Sequence, residues 1–85
     1  MNFRELVERE AAYKDPARKP RSMAAMAERC GIHRSHLYNL FAGMKTPPAW
    51  TVAQIAKGLS VDAATVEKAL QRSRAEAMAE RKLIA

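Results

Sequence analysis

Four hydrogen-bonding side chains recur at helical spacing near the middle of the 85-residue chain. They are Arg34, Ser35, Tyr38 and Asn39. At ~100° per residue these four positions centre on the side of a helix opposite to Leu37 and Leu40. An arginine fork on such a face can donate two parallel hydrogen bonds to guanine O6 and N7. The pattern therefore indicates a surface that recognises hydrogen-bonding groups of a ligand.

Side chains for metal or acid-base chemistry are sparse. His33 and His36 are the only histidines, and no cluster of cysteines or carboxylates completes a four-ligand zinc site. Asp15 and Asp62 fall in a predicted linker and at a predicted cap, so no groups converge for catalysis. Cys30 is the single cysteine and suits a small apolar core residue in a reducing cytoplasm, a reactive thiol being the alternative. We expect no enzyme, no metal and no cofactor.

The net charge of +6 is concentrated in one part of the chain. Residues 1–13 carry −1 and residues 61–85 carry +1, so the excess lies between them. A basic segment between near-neutral ones fits a surface that meets polyphosphate. A solvated basic face without a ligand fits the same charge. The basic residues of this middle segment are Lys14, Arg18, Lys19, Arg21, Arg29, Arg34, Lys45 and Lys57.

Helical periodicity and the scarcity of strand formers predict an all-α chain that forms a single domain over residues 1–85. Asn2 and Glu5 have capping-box spacing ahead of a first helix at about 3–13. Two prolines then predict a basic linker over residues 14–21. The predicted core residues of the first helix are Phe3, Leu6 and Val7.

Two short helices joined by a tight turn are predicted next. Ser22 can cap the second helix, and Gly31 can end it by adopting a left-handed backbone. A third helix starts at about Arg34 and ends near Gly43, so a helix-turn-helix spans about 22–43. The predicted core residues of this unit are Met23, Met26, Ala27, Cys30, Leu37, Leu40 and Phe41.

A loop with two prolines precedes two further helices. The fourth is expected to start near Trp50 or Thr51 and to fray around Gly58 and Ser60. Trp50 is expected to pack into the core, a stacking platform being the alternative. Asp62 caps a fifth helix at about 63–82. Its apolar stripe thins after Leu70, which predicts an extension beyond the core. The predicted core residues of both helices are Val52, Ile55, Ala56, Leu59, Val66, Ala69 and Leu70.

The segment MAAMAERCGIHRSHLYNLFAG resembles the helix-turn-helix of the phage-repressor and Cro-like (XRE-type) family. Its alanine at Ala27, the turn glycine four residues later and the aliphatic residues of the third helix have the spacing of that family. LFAG, the proline loop and TVAQIAKGLSVDAATV extend the likeness over about residues 21–70. The resemblance implies a compact five-helix, lambda-repressor-like domain with an extended C-terminal helix.

The resemblance also implies which residues meet DNA. Arg34 would contact guanine, Asn39 adenine, and Tyr38 a phosphate or a thymine methyl group. Met23 stands where the family often has a phosphate-binding glutamine, and His33 where it has a serine or threonine cap. The phosphate contacts would then come from the backbone amides after Ser22, at the N-terminus of the second helix, and from the basic residues Arg21 and Lys45. The full predicted set is Arg21, Ser22, His33, Arg34, Ser35, Tyr38, Asn39 and Lys45.

We therefore expect a cytoplasmic, sequence-specific regulator of transcription that binds double-stranded DNA. The resemblance implies a repressor that binds a pseudo-palindromic operator as a homodimer through its helix at 34–42. The alternative is a protein-binding module, such as an antitoxin or antiactivator, that acts through the C-terminal helix. No apolar run reaches the length needed to span a bilayer, so no membrane partner is expected.

Overall fold

The computed structural model describes residues 1–14 and 23–84, with the side chains of residues 11–14 and 82–84 excepted. The predicted linker lies outside this described part except for Lys14, which belongs to the first helix, and the Ser22 cap lies outside it too. Five α-helices and no β-strand occur within it, which confirms the all-helical prediction. The helices are α1 (Phe3–Lys14), α2 (Met23–Cys30), α3 (Arg34–Phe41), α4 (Ala49–Leu59) and α5 (Ala63–Ile84).

The first helix begins with the predicted capping box. The Glu5 N–H donates to Asn2 Oδ1 at 2.8 Å, and the Asn2 N–H donates back to Glu5 Oε1 at 3.2 Å. Two backbone donors that the helix itself cannot satisfy are thus paired. Behind the cap, Phe3, Leu6 and Val7 are fully buried and join one core with residues of the other four helices.

Helices α2, α3 and α4 end in the same backbone motif. A left-handed residue follows directly after α2 and α4 and one residue later after α3, with φ of +72° at Gly31, +54° at Ser60 and +69° at Gly43. The next residue then donates its N–H to a carbonyl in the last turn, which satisfies an acceptor that would otherwise be orphaned. These bonds are Ile32 to Ala27 at 3.1 Å, Met44 to Asn39 at 3.1 Å and Val61 to Ala56 at 3.0 Å.

Gly58 lies inside α4 and allows that helix to pack closely on α2. A Cβ at this position would overlap the carbonyl oxygen of Arg29. The two helices are also joined where the Gln54 amide donates to the Gly31 carbonyl at 2.6 Å. Of the two residues at which α4 is predicted to fray, Ser60 is its C-cap and Gly58 is not an end, because the missing side chain serves packing and α4 continues to Leu59.

Trp50 is 70% exposed, so its predicted place in the core is wrong. The buried face of α4 passes through Val52 and Ile55, and Trp50 lies ~200° around the helix from Val52. The buried residue of the first turn is Thr51. Its hydroxyl has no hydrogen-bond partner among the described residues.

The fifth helix packs on the domain further along its length than its apolar stripe predicts. Val66, Ala69 and Leu70 are buried as expected, but Ser73 is also buried. A Cβ at Gly43 would lie 3.0 Å from the Ala77 Cβ, so α3 ends directly against this part of α5. The extension outside the core thus begins after Ala77 and not after Leu70. No helix within the described residues is long and apolar enough to cross a membrane.

Candidate nucleic-acid interface

Helix α3 is held to the core by one face and leaves the other in solvent. Leu37 and Leu40 are buried against the other helices, and Phe41 packs edge-on against the Phe3 ring at 5.6 Å between centroids. Arg34 and Ser35 in the first turn are exposed. The sides of α3 that face the core and the solvent are therefore those predicted.

Four of the predicted site residues lie together on this exposed side. Arg34, Ser35, Tyr38 and Asn39 line one shallow surface pocket, and Met23 from the start of α2 lines it with them. Tyr38 is 62% exposed, whereas Asn39 is half-buried. We call these five residues the reading face. It combines a guanidinium, two hydroxyls and an amide on a rigid helix, all of which can bond to groups of a ligand.

His33 caps α3. The backbone there is extended, and the Ser35 N–H donates to His33 Nδ1 at 3.1 Å. An imidazole that accepts at Nδ1 carries its proton on Nε2, so the exposed ring keeps a donor. The cap fixes the first turn of α3, where Arg34 and Ser35 lie. His33 therefore has a positioning contact in addition to the ligand contact that the resemblance implies.

Lys45 is exposed in the loop that follows α3. That loop is fastened to α5 by a hydrogen bond from Arg74 Nη1 to Thr46 Oγ1 and by the close approach of Gly43 to the Ser73 carbonyl, which a Cβ would meet at 2.7 Å. The positive charge of Lys45 therefore lies beside the end of α3, on a loop that contacts with α5 hold in place. The remaining predicted site residues, Arg21 and Ser22, lie outside the described residues.

The charge around the reading face is one-sided. No aspartate or glutamate occurs between residues 29 and 61, a segment that contains α3, α4 and the loop between them. The last acidic residue before α3 in the sequence is Glu28. Its side chain is exposed and lines a separate recess with His33 and Arg34. Polyanions therefore meet little opposing charge on this part of the surface.

Met23 is predicted as a core residue, and it also stands where the resembling family often has a phosphate-binding glutamine. It packs partly against the core cluster and partly lines the reading face. Helical periodicity predicts that Met23 faces the core. Periodicity gives no sign that the same side chain also contacts residues of α3. The signal for this second role came from the resemblance, because the family often has a ligand-binding glutamine at this position.

Cys30 is buried in the core, whereas His33 and His36 lie at the cap of α3 and in its first turn. Burial raises the pKa of the Cys30 thiol to about 12, from an ordinary 9.0. Among the described residues, no group of three or more His, Cys, Asp or Glu side chains could hold a metal ion.

The chain was also compared with known proteins, and no family model, curated protein or solved structure matches it.

Proposed function

We propose that the protein is a sequence-specific regulator of transcription, a repressor, that inserts α3 into the major groove of double-stranded DNA. The observation that carries the proposal is the reading face itself. Arg34, Ser35 and Tyr38 project into solvent from a helix whose other side is fixed by buried leucines. A rigid helix with polar side chains on one face has the width and the chemistry to read base edges.

The short turn between α2 and α3 suits this use. Gly31 lets the chain turn within three residues, so α2 packs across α3 and can rest on the sugar-phosphate backbone while α3 enters the groove. Arg34 is the first residue of α3 and would reach the base edges. Its fork matches guanine, and the Asn39 amide matches adenine N6 and N7.

Charge supports a nucleic acid over an uncharged ligand. Each cation that neutralises a phosphate releases a bound counterion, so affinity falls as salt rises, with a slope of ~0.9 per contact. Lys45 is the described cation best placed for such a contact, because its loop is anchored beside the end of α3. Exposed Lys68, on α5, serves as a matched control outside the reading face.

Dimerisation on a pseudo-palindromic site is part of the proposal. One reading face of this size touches few base pairs, and a second copy doubles the sequence information. The end of α5 offers a surface for it, since Met78 is 60% exposed beyond the part of the helix that packs on the domain. The same exposed end favours, as a second candidate function, the capture of another protein.

The test is selection from a random pool of duplex DNA, followed by affinity measurements on the selected site and on scrambled DNA at several salt concentrations. We expect a consensus with two related halves and a steep salt dependence. Lys45→Ala should flatten the slope by up to ~0.9, whereas Lys68→Ala should leave it unchanged. Selection of no consensus by the folded protein would overturn the proposal. A salt-insensitive complex with a protein would favour the second candidate.

A further inference from the structure

One face of α4 lies in solvent along two turns of the helix. Its four residues, which are all exposed, are Trp50, Ala53, Gln54 and Lys57. At 3.6 residues per turn they lie within ~100° of one another around the helix axis. Trp50 is 70% exposed, a larger fraction than any other large hydrophobic residue of the described chain. A large apolar ring held in water on a packed helix is typical of a surface that another molecule covers.

We propose that a second copy of the chain docks on this face, with the two α4 helices antiparallel. The inference rests on the proposed function for the role of the pair on DNA, and it names the surface through which the two copies meet. An interface between two identical copies must be complementary to itself, because a two-fold axis places the same patch on both sides. The exposed face of α4 meets this requirement in shape and in charge.

The complementarity follows from the order of the residues along α4. When the two-fold axis passes between Ala53 and Gln54, Trp50 of each copy lies opposite Lys57 of the other, because both are equally far from the axis along the chain. The face of an indole ring attracts an ammonium group. The small side chain of Ala53 leaves room at the centre for the helices to approach. Gln54 is held to one side, since its amide donates to the Gly31 carbonyl at 2.6 Å.

The same arrangement keeps like charges apart. Lys57 is the only charged residue of α4, so in the antiparallel pair the two ammonium groups lie at opposite ends of the contact. Duplex DNA is a poorer occupant of this face. Its bases are stacked on one another, and an indole stacks only on bases that are unpaired or splayed out.

The size of the face sets the strength of the pairing. Two turns of one helix cover less than the ~800 Å² per copy that a stable complex needs, so the free protein should pair weakly. Two half-sites on one DNA molecule hold two copies side by side and raise their effective concentration. We therefore expect a monomer in dilute solution and cooperative binding of two copies to the full site.

Trp50 is the only tryptophan of the chain, so the fluorescence of the protein reports on this face. Without DNA, the emission should move to shorter wavelength, and its quenching by acrylamide should fall, as the protein concentration rises. Sedimentation should show the dimer over the same range of concentration. A duplex that carries a single half-site should leave the emission of the dilute protein unchanged, because it brings no second copy.

Protein variants assign the pairing to the face of α4. Trp50→Ala removes an exposed ring and no core atom, and it should weaken the dimer at least ~30-fold, as the loss of a central tryptophan does in other interfaces. Lys57→Gln should weaken it about fivefold, whereas Lys57→Arg keeps a cation over the ring and should stay close to the parent. Met78→Gln changes an exposed methionine of α5 and should leave the pairing unchanged.

Three results would overturn the inference while the proposed function stands. One is a dimer that persists in Trp50→Ala and is lost in Met78→Gln, which would place the contact at the end of α5. Another is a monomer at every concentration whose copies bind the two half-sites independently. The third is an emission shift caused by a single half-site, which would assign the face to DNA. Failure to select a consensus would instead overturn the proposed function, and the measurements without DNA would still decide whether the copies pair through α4.

Discussion

The backbone N–H of Phe3 donates a hydrogen bond of 2.9 Å to Ser73 Oγ, and the two residues are 70 positions apart in the chain. Both residues are buried. The bond joins the first turn of α1 to the middle of α5, next to the place where Asn2 Nδ2 donates to Glu76 Oε2 at 3.0 Å. The N-terminal cap of one helix is therefore also the docking contact between two helices.

Ser73→Ala tests this docking contact. The change leaves the Phe3 N–H buried without an acceptor, and an unsatisfied buried donor destabilises a fold by ~1–3 kcal/mol. We expect a loss of that size in the free energy of unfolding measured with urea. Ser35→Ala removes the same hydroxyl from an exposed position and should change stability by less than ~0.5 kcal/mol. Equal stability of the two variants would show that water replaces the bond.

The ionised carboxylate of Glu76 should stabilise the fold, and this contribution should be lost in acid. Hydrogen bonds from Asn2 and Arg72 hold the pKa of its carboxyl below the ordinary 4.5. A carboxyl with a lowered pKa in the folded state stabilises the fold above its unfolded pKa, and this contribution disappears as the pH falls through the folded value. We therefore expect Glu76→Gln to be less stable than the parent near neutrality, with the difference shrinking below pH ~4.5. Unfolding in urea across this range measures it.

Glu80→Gln is the matched control for this titration. Glu80 is exposed one turn further along α5, beyond the contact with α1. Its variant removes the same charge from an exposed position and should change the free energy of unfolding near neutrality by less than ~0.5 kcal/mol. A Glu76→Gln curve parallel to that of the parent would show that the contact with Asn2 does not depend on ionisation.

Gly58→Ala should destabilise the protein although alanine favours helices. In an open helix this exchange stabilises by ~1 kcal/mol. Here the new Cβ overlaps the Arg29 carbonyl oxygen, a backbone atom that cannot rotate away, so α2 and α4 must separate. We expect a net loss of ~1–3 kcal/mol in the free energy of unfolding. Ala53→Gly, on an exposed position of α4, calibrates helix propensity in the same host. A stabilised Gly58→Ala variant would mean that the helices are not in close contact there.

Cys30 should be chemically inert in the folded protein. Burial raises its pKa to about 12, so the reactive thiolate is nearly absent at neutral pH. A thiol reagent should label it slowly in native buffer and at once in denaturant. Ala53→Cys in a Cys30→Ala background places a thiol on the surface of α4 and should react quickly under native conditions. Rapid native labelling of Cys30 would show that α2 opens readily.

Local rules predicted the parts of the fold that local chemistry determines. The cap of α1 followed from the Asn2 and Glu5 spacing, and the turn after α2 followed from Gly31, because glycine adopts positive φ without strain. Ser60 takes the same conformation without that signal, so its left-handed backbone was not predicted, although the end of α4 was. The exposed side of α3 followed from periodicity alone.

What the sequence did not reveal depends on contacts between distant segments. Trp50 is predicted to pack into the core at the start of α4, yet its angular position on that helix places it in solvent. Ser73 is polar, so the sequence gives no sign that it is buried. Its burial depends on the hydrogen bond that its hydroxyl accepts from the Phe3 N–H of α1. Met23 serves both the core and the reading face, which no pattern within a single helix can show.

Arg34 gives the sharpest prediction for the reading face. It is exposed, so Arg34→Ala removes no core atom and should change the free energy of unfolding by less than ~0.5 kcal/mol. Binding should suffer instead. Loss of a two-bond contact with guanine should cost ~1–3 kcal/mol on the selected site and relax the preference at one base pair in each half, with less effect on random DNA. Affinities for the selected site and for each of its single-base variants measure this.

Arg34→Lys separates charge from shape. It keeps a point charge that attracts phosphate but loses the planar fork, so it should retain affinity for random DNA and recover only part of the specificity. Arg9→Ala removes an exposed guanidinium from α1, away from the reading face, and should leave the preference at every base pair unchanged. An equal loss on all sequences in Arg34→Ala would reassign Arg34 to a phosphate contact. No loss at all would remove α3 as the reading helix, because its first exposed side chain would then lie away from the base edges.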